Sequence, residues 1–255
     1  MSGTDVSVIA VPGIPLVVAG DDVAALIGEA LAALGRTLEP HDVVVVASTI
    51  ISKAENRYVD LTGIEPSARA IELAAATEKD PRLVEVVLSE STAVSRAVPG
   101  VLIVRHRLGF VSANAGVDFS NATGSADVGI LLPIDPDHSA TVIRDRLASR
   151  FGVAPLAVVI SDTHGRAFRR GNLNVAIGIA GIPPLLDARG SADLYGRVLE
   201  ATSIPLADQV AAAAGLVTGE AAEGLPVVVV RGLRFDAADA PADDLNWPPA
   251  LDLFA

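Results

Sequence analysis

The sequence predicts an α/β fold built on a mixed sheet, and three observations predict it. Short apolar runs of strand length recur, as at 43–47, 156–160 and 227–230, each closed by polar or Gly/Pro residues. Other segments, such as 23–34 and 207–217, repeat Ala, Leu and Ile at helical spacing. The two kinds alternate along the chain, which is the order of an α/β domain, with a mixed sheet favoured over a purely parallel one.

Taken in order, residues 6–11 form an apolar run closed by Pro12-Gly13, a buried strand entering a loop. Gly20-Asp21-Asp22 offers an N-cap to the helix at 23–34. His41-Asp42 precedes the buried strand 43–47, which empties into Ser48-Thr49-Ile50-Ile51-Ser52-Lys53. Proline is favoured in a first helical turn, so Pro66-Ser67 opens a helix through Ala76 and Pro81 another through Leu88. Residues 101–106 and 108–112 are β-rich, and 131–133 end a further strand. Residues 135–138 lead into a helix that runs to Arg150. The apolar strand 156–160 opens into 161–166, the most polar stretch of the chain and expected to be its least regular. An Ala-rich helix at 207–217 and a last central strand at 227–230 complete a unit spanning 1–235. The extension 236–255, rich in Ala, Asp and Pro and carrying the single Trp247, is expected to be loosely packed or bound to a partner.

A chain of 255 residues is ample for a sizeable core, as one large domain or two small interleaved ones. With no cysteine there is no disulfide, thiolate metal site or thiol nucleophile, and a cytoplasmic setting is expected. The 31 acidic residues outnumber 19 basic ones for a net charge of −12, which argues against nucleic acid or an acidic membrane as partner. A small anion in a local pocket stays compatible with that balance. Lysine occurs only at Lys53 and Lys79, so the positive charge is almost all arginine, whose planar fork suits phosphate and carboxylate. A mean hydropathy of +0.47 comes from scattered Ala and Val, because Gly and Pro interrupt the longest apolar stretches before they reach membrane length. Asp5 stands where a signal peptide would be basic, so the start reads as mature protein.

Common nucleotide and hydrolase motifs are missing: no Gly-Lys pair for a P-loop, no G-x-G-x-x-G, no G-x-S-x-G and no paired-His zinc helix. Four segments nevertheless suit nucleotide chemistry. In 161–166, Asp162 and Thr163 are hard oxygen donors beside Arg166, Arg169 and Arg170; a turn with solvated charges is the competing reading. In 112–121, small residues surround Asp118, which suits sharing a divalent ion with Asp162, although an aspartate so placed is more often an ordinary turn residue. In 48–53, Lys53 accompanies two serines and a threonine and reads as a phosphate point charge or as a surface lysine. Gly13-Ile14-Pro15-Leu16-Val17 offers backbone groups and an apolar wall for a ring, or is simply a buried loop.

Together these segments resemble the coenzyme F-420-0:L-glutamate ligase family. The resemblance rests on G-[IL]-P at 13–15, S-x-x-x-S-K-x-E-x-R at 48–57, A-G-V-D-x-S-N at 115–121, S-D-T-x-G-R-x-x-R-x-G at 161–171 and A-x-G-x-A-G-I at 176–182. Asp193-Leu194-Tyr195-Gly196, Ala207-Asp208-Gln209, Gly224-Leu225-Pro226 and Arg231-Gly232 extend it from Val8 to Leu233. It implies an unusual α/β ligase fold of two interleaved subdomains, working as an intertwined homodimer. It further implies joining of L-glutamate to a deazaflavin acceptor, using GTP, Mg2+ or Mn2+, and K+. Position by position, it puts GTP against Ile14, Pro15, Leu16, Val17, Ser48, Thr49, Lys53 and Asn121. Metals fall on Asp118, Asp162, Thr163 and Glu220, with Asp118, Asp162 and Lys53 carrying the chemistry. Thr49 and Asn56 depart from a lysine and a glycine common in the family, which bears on one phosphate contact and a local turn. Two other readings share these features: an acid-amino acid ligase with another carboxylate acceptor, and a non-catalytic nucleotide-binding scaffold. Product mass spectrometry separates the first, and calorimetry with GTP and Mn2+ the second.

Overall fold

A computed structural model describes residues 5–120 and 122–252. From the N-terminus, β1 (Ser7–Ala10) leads through a loop to α1 (Val23–Ala33), whose first turn is capped by the Asp22 carboxylate accepting from Ala25 N–H. β2 (Val43–Ala47) passes directly into α2 (Ser48–Ala54) and then β3 (Tyr58–Asp60). A helical pair follows, α3 (Ala68–Thr77) capped by Ser67 and α4 (Pro81–Ser89) capped by Asp80 with proline in its first turn. β4 (Ser91–Val98), β5 (Val101–His106) and β6 (Val111–Ala113) form an antiparallel meander, and β7 (Val128–Ile130) pairs with β3.

α5 (Pro136–Phe151) starts on the Asp135 cap and stops at Gly152, whose φ of 63° is the left-handed ending that glycine tolerates. The chain continues through β8 (Ala157–Gly165), β9 (Asn172–Ala180), the small ladder β10 (Leu186–Asp187) with β11 (Ser203–Ile204), α6 (Leu206–Thr218) and β12 (Val227–Arg231).

Five strands make the central sheet, in the order β1-β12-β2-β8-β9, and only β2 and β8 run parallel. The sheet is therefore mixed, as expected. Alternating residues of its strands feed two cores. Val44, Val46, Val158 and Ile160 face α1, α2 and α5, while Val43, Val45, Ala157 and Val159 face α6. A third core gathers Leu73, Val84, Val87, Leu102 and Val104 beneath α3 and α4, so the segment between α2 and α5 has an interior of its own. At one end of the central sheet Arg231 donates to both oxygens of fully buried Asp42, at 2.8 and 2.7 Å, and also bridges to Glu39.

Several expectations are corrected. Residues 161–165 are not irregular: β8 runs through them, because their backbone groups pair with β9 from Ala176 to Asn172 while the polar side chains alternate. Ser48 to Lys53 belong to a helix rather than to a strand end. The strand near 131–133 lies at Val128–Ile130, and beyond it the Leu132, Pro133 and Ile134 carbonyls accept from arginine side chains instead of a ladder. In 108–112 only the last residues are strand, after a turn closed by the Gly109 N–H donating to the His106 carbonyl. The tail is docked in part: Ala242 joins the α6-side core with Leu245 packed against it, and Ala242 N–H donates to the Asp137 carboxylate at 3.2 Å. Among the described residues no helix is long and apolar enough to cross a membrane.

Candidate functional site

Parallel pairing sets Ala47 beside Ser161, so β2 leaves the sheet at its carboxyl end and passes into α2 where β8 runs on beside β9 alone. Such a strand edge is where open α/β sheets bind ligands. One residue further along, Ser48 Oγ donates to Asp162 Oδ1 at 2.8 Å. His164 shares the Asp162 face of β8, two positions on, and its Nε2 lies 3.0 Å from Asp162 Oδ2. A carboxylate only accepts, so that ring nitrogen carries the proton. Both oxygens of Asp162 are thus held, and each keeps a second lone pair.

The His164 ring is buried against Phe110, with centroids 4.7 Å apart, and Phe110 stacks parallel on His106 at 5.0 Å. His106 Nδ1 accepts from Leu108 N–H at 3.0 Å, which places its own proton on Nε2, 3.6 Å from Glu90 Oε2. Glu90 also receives Arg57 on Oε1 and Arg107 on Oε2, both at 2.9 Å. Burial pushes the Glu90 carboxyl up, but the His106 imidazole and the Arg107 and Arg57 guanidinium groups more than offset it and hold it at about 2.

α2 carries the other candidates. Thr49 and Lys53 are four residues apart and share one face of the helix, while Ser48 turns to Asp162. The loop at 14–17 is brought beside the end of this helix, where Gly20 N–H donates to the Ala54 carbonyl at 2.9 Å. Within the loop Val17 is buried and Ile14 packs on the core, whereas Pro15 is exposed and Leu16 is 90% exposed.

The expected metal ligands are not all gathered. Consecutive strand residues face opposite ways, and Thr163 lies on the α6 side, where its Oγ1 donates to Glu220 Oε1 at 3.3 Å. Asp118 bridges through its backbone to Ile130, and its carboxylate accepts from Ser120 N–H at 2.8 Å and Ser120 Oγ at 2.6 Å, a local turn. Asn121 lies outside the described residues. Among the described residues no three His, Asp or Glu side chains converge as a metal-binding group. Asp208, on α6, accepts from Ala176 N–H at 2.9 Å; burial pushes its carboxyl above the ordinary value, against that hydrogen bond and the His164 imidazole.

Sequence reasoning missed His164, Phe110 and the Glu90 cluster. The signal for His164 was present as strand period two from Asp162; the cluster, joining residues 17 and 33 positions apart, left no local signal.

Comparison with known proteins supplies context. Residues 13–232 match the family model described as F420-0:Gamma-glutamyl ligase. The chain is 46% identical over 256 residues to the Coenzyme F420:L-glutamate ligase of Methanothermobacter thermautotrophicus, covering 98% of each. It is 49% identical over 215 residues to the protein of that name from Methanopyrus kandleri, covering 84% of this chain and 82% of the relative. It is 45% identical over 230 residues to the one from Archaeoglobus fulgidus, covering 90% and 88%.

Proposed function

The chain belongs to the F420-0:gamma-glutamyl ligase family, and from that premise we propose that this amide-forming ligase joins L-glutamate to the lactyl carboxylate of coenzyme F420-0 at the expense of GTP. The observation that carries the reading is the Asp162 carboxylate, pinned by Ser48 and His164 where β2 ends beside β8 and paired there with no arginine or lysine among the described residues.

Amide synthesis is split into two steps. The acceptor carboxylate takes the γ-phosphoryl group of GTP, releasing GDP; the glutamate amine then attacks the acyl carbon, and phosphate leaves with the bonding pair as the amine loses its proton. Phosphoryl transfer asks chiefly for positioning and charge neutralisation. Lys53, with Thr49 one turn before it, neutralises phosphate oxygens, and the 14–17 loop with Asn121 seats the nucleotide. Addition of further gamma-linked glutamates uses the same site.

A divalent ion suits the donor set, since Mg2+ is commonly held by one or two carboxylates plus substrate phosphates rather than by a protein cage. The free lone pairs of Asp162 provide such a carboxylate; Thr163 and Glu220, on the other face of β8, and Asp118, in its local turn, are not gathered with it and would serve a second ion or the substrate-bound state, with K+ as a monovalent companion. When bound, Mg2+ or Mn2+ neutralises phosphate charge and fixes its orientation. The enzyme is read as a cytoplasmic homodimer.

The test is a turnover assay with purified protein, F420-0, GTP, Mn2+ and L-glutamate, read by product mass spectrometry. Expected is one glutamate or more added with GTP consumed. A product from another carboxylic acid in preference to F420-0 overturns the acceptor assignment, and equal turnover in excess EDTA overturns the metal.

A further inference from the structure

We propose that His164 is a positioning residue that fixes the plane of the Asp162 carboxylate for a divalent cation, with Phe110 as the wall that fixes His164; this rests on the reading of Asp162 as a metal ligand. An aspartate carboxylate turns about its terminal torsion unless both oxygens are held. Here they are held from two directions, Oδ1 by Ser48 on α2 and Oδ2 by His164 on the same strand.

The imidazole has little freedom to let go. It is buried, and its ring meets Phe110 at 4.7 Å and 52°. Phe110 lies flat on His106 with an interplanar angle of 4°, and His106 is anchored by the Leu108 N–H on one edge and faces Glu90 with the other. A continuous line of contacts therefore runs from the ion cluster of the α3–β6 segment to Asp162. The placement of that segment sets the orientation of a carboxylate on the central sheet. Hydrogen-bond partners of ligating carboxylates commonly account for roughly 10–100-fold in metal affinity, which sets the expected size of the effect.

The experiment measures Mn2+ affinity of the full chain, with GTP present, from the paramagnetic resonance signal of free Mn2+, and follows melting in parallel. His164→Phe removes the donor but keeps a ring against Phe110, and is expected to weaken Mn2+ binding about 10–100-fold with little change in melting. His164→Gln restores an N–H at similar reach and is expected to recover most of the affinity. In a double-mutant cycle with Asp162→Asn the losses are expected to be strongly non-additive. Unchanged affinity in His164→Phe, no recovery in His164→Gln, or additive losses each overturn the positioning role. If Asp162→Asn itself keeps full Mn2+ affinity, the metal assignment falls instead. Should His164→Phe not fold, Phe110→Leu, which frees the imidazole, must weaken Mn2+ binding for the proposal to stand.

Discussion

Glu90 and Asp162 are both largely withdrawn from water, with side chains 11% and 17% exposed, but the chain treats their charges differently. Glu90 is clasped by two guanidinium groups and the edge of an imidazole, so its charge is cancelled inside the protein. Asp162 receives a hydroxyl and an imidazole N–H and, among the described residues, no arginine or lysine. A withdrawn carboxylate is costly to keep ionised unless a cation answers it. At Glu90 the answer is built in and the result is architecture. At Asp162 the geometry is prepared, and on the proposed reading the counter-charge comes with a bound cation.

The contrast can be broken from either side. The largest effect is expected from Arg57→Ala, which takes one of the two guanidinium groups from Glu90 and cuts the tie to the Leu132 carbonyl, at about 3 kcal/mol of unfolding free energy in urea titration. A loss below about 1 kcal/mol, the scale of an exposed pair, would mean that the cluster anchors nothing. Asp162→Asn is expected to behave oppositely: glutamate addition falls by about 100-fold or more, equivalent to about 2.7 kcal/mol of barrier, while the melting temperature holds. Unchanged turnover would remove the distinction altogether.

Acid sharpens the comparison. Glu90 is held at about 2 against an ordinary 4.5, so its contribution to stability is complete above 4.5 and is lost as pH falls from there toward 2. Asp137 and Asp208 are pushed up by burial, so their protonation begins earlier and has the opposite, stabilising sign. The Glu90 part is therefore best read as the difference between wild type and Glu90→Gln, which should shrink as the solution is acidified through that window. The smallest effect is expected for Ser48→Ala, about 10-fold in turnover, since His164 still holds the other oxygen of Asp162.

The strands of the central sheet were legible because runs such as 43–47 and 227–230 are apolar throughout, as strands buried on both faces must be. The polar end of β8 was not, since Ser161 to Gly165 resembles a loop by composition, and only pairing with β9 makes it a strand. β4 escaped for a related reason: its alternation is interrupted by two register shifts and its residues are small or polar. At the site, Asp162, Ser48 and Lys53 stood out by residue type beside arginine-rich or hydroxyl-rich neighbours. The proximity of Ser48 to Asp162, 114 positions later, follows from the parallel pairing and from nothing local.

One feature at the far end of the sheet bears on this. β2 and β12 meet as valine against valine at four successive positions, and identical side chains cannot tell one alignment from the next. A slip of a single residue would exchange the two faces of a strand. The buried Asp42, seized through both oxygens by Arg231, admits only one alignment. The same Asp42 accepts the Ala157 N–H through its carbonyl at 3.1 Å, so the residue that Arg231 fixes also marks where β8 begins beside β2, and Ser48 meets Asp162 just past the other end of that ladder.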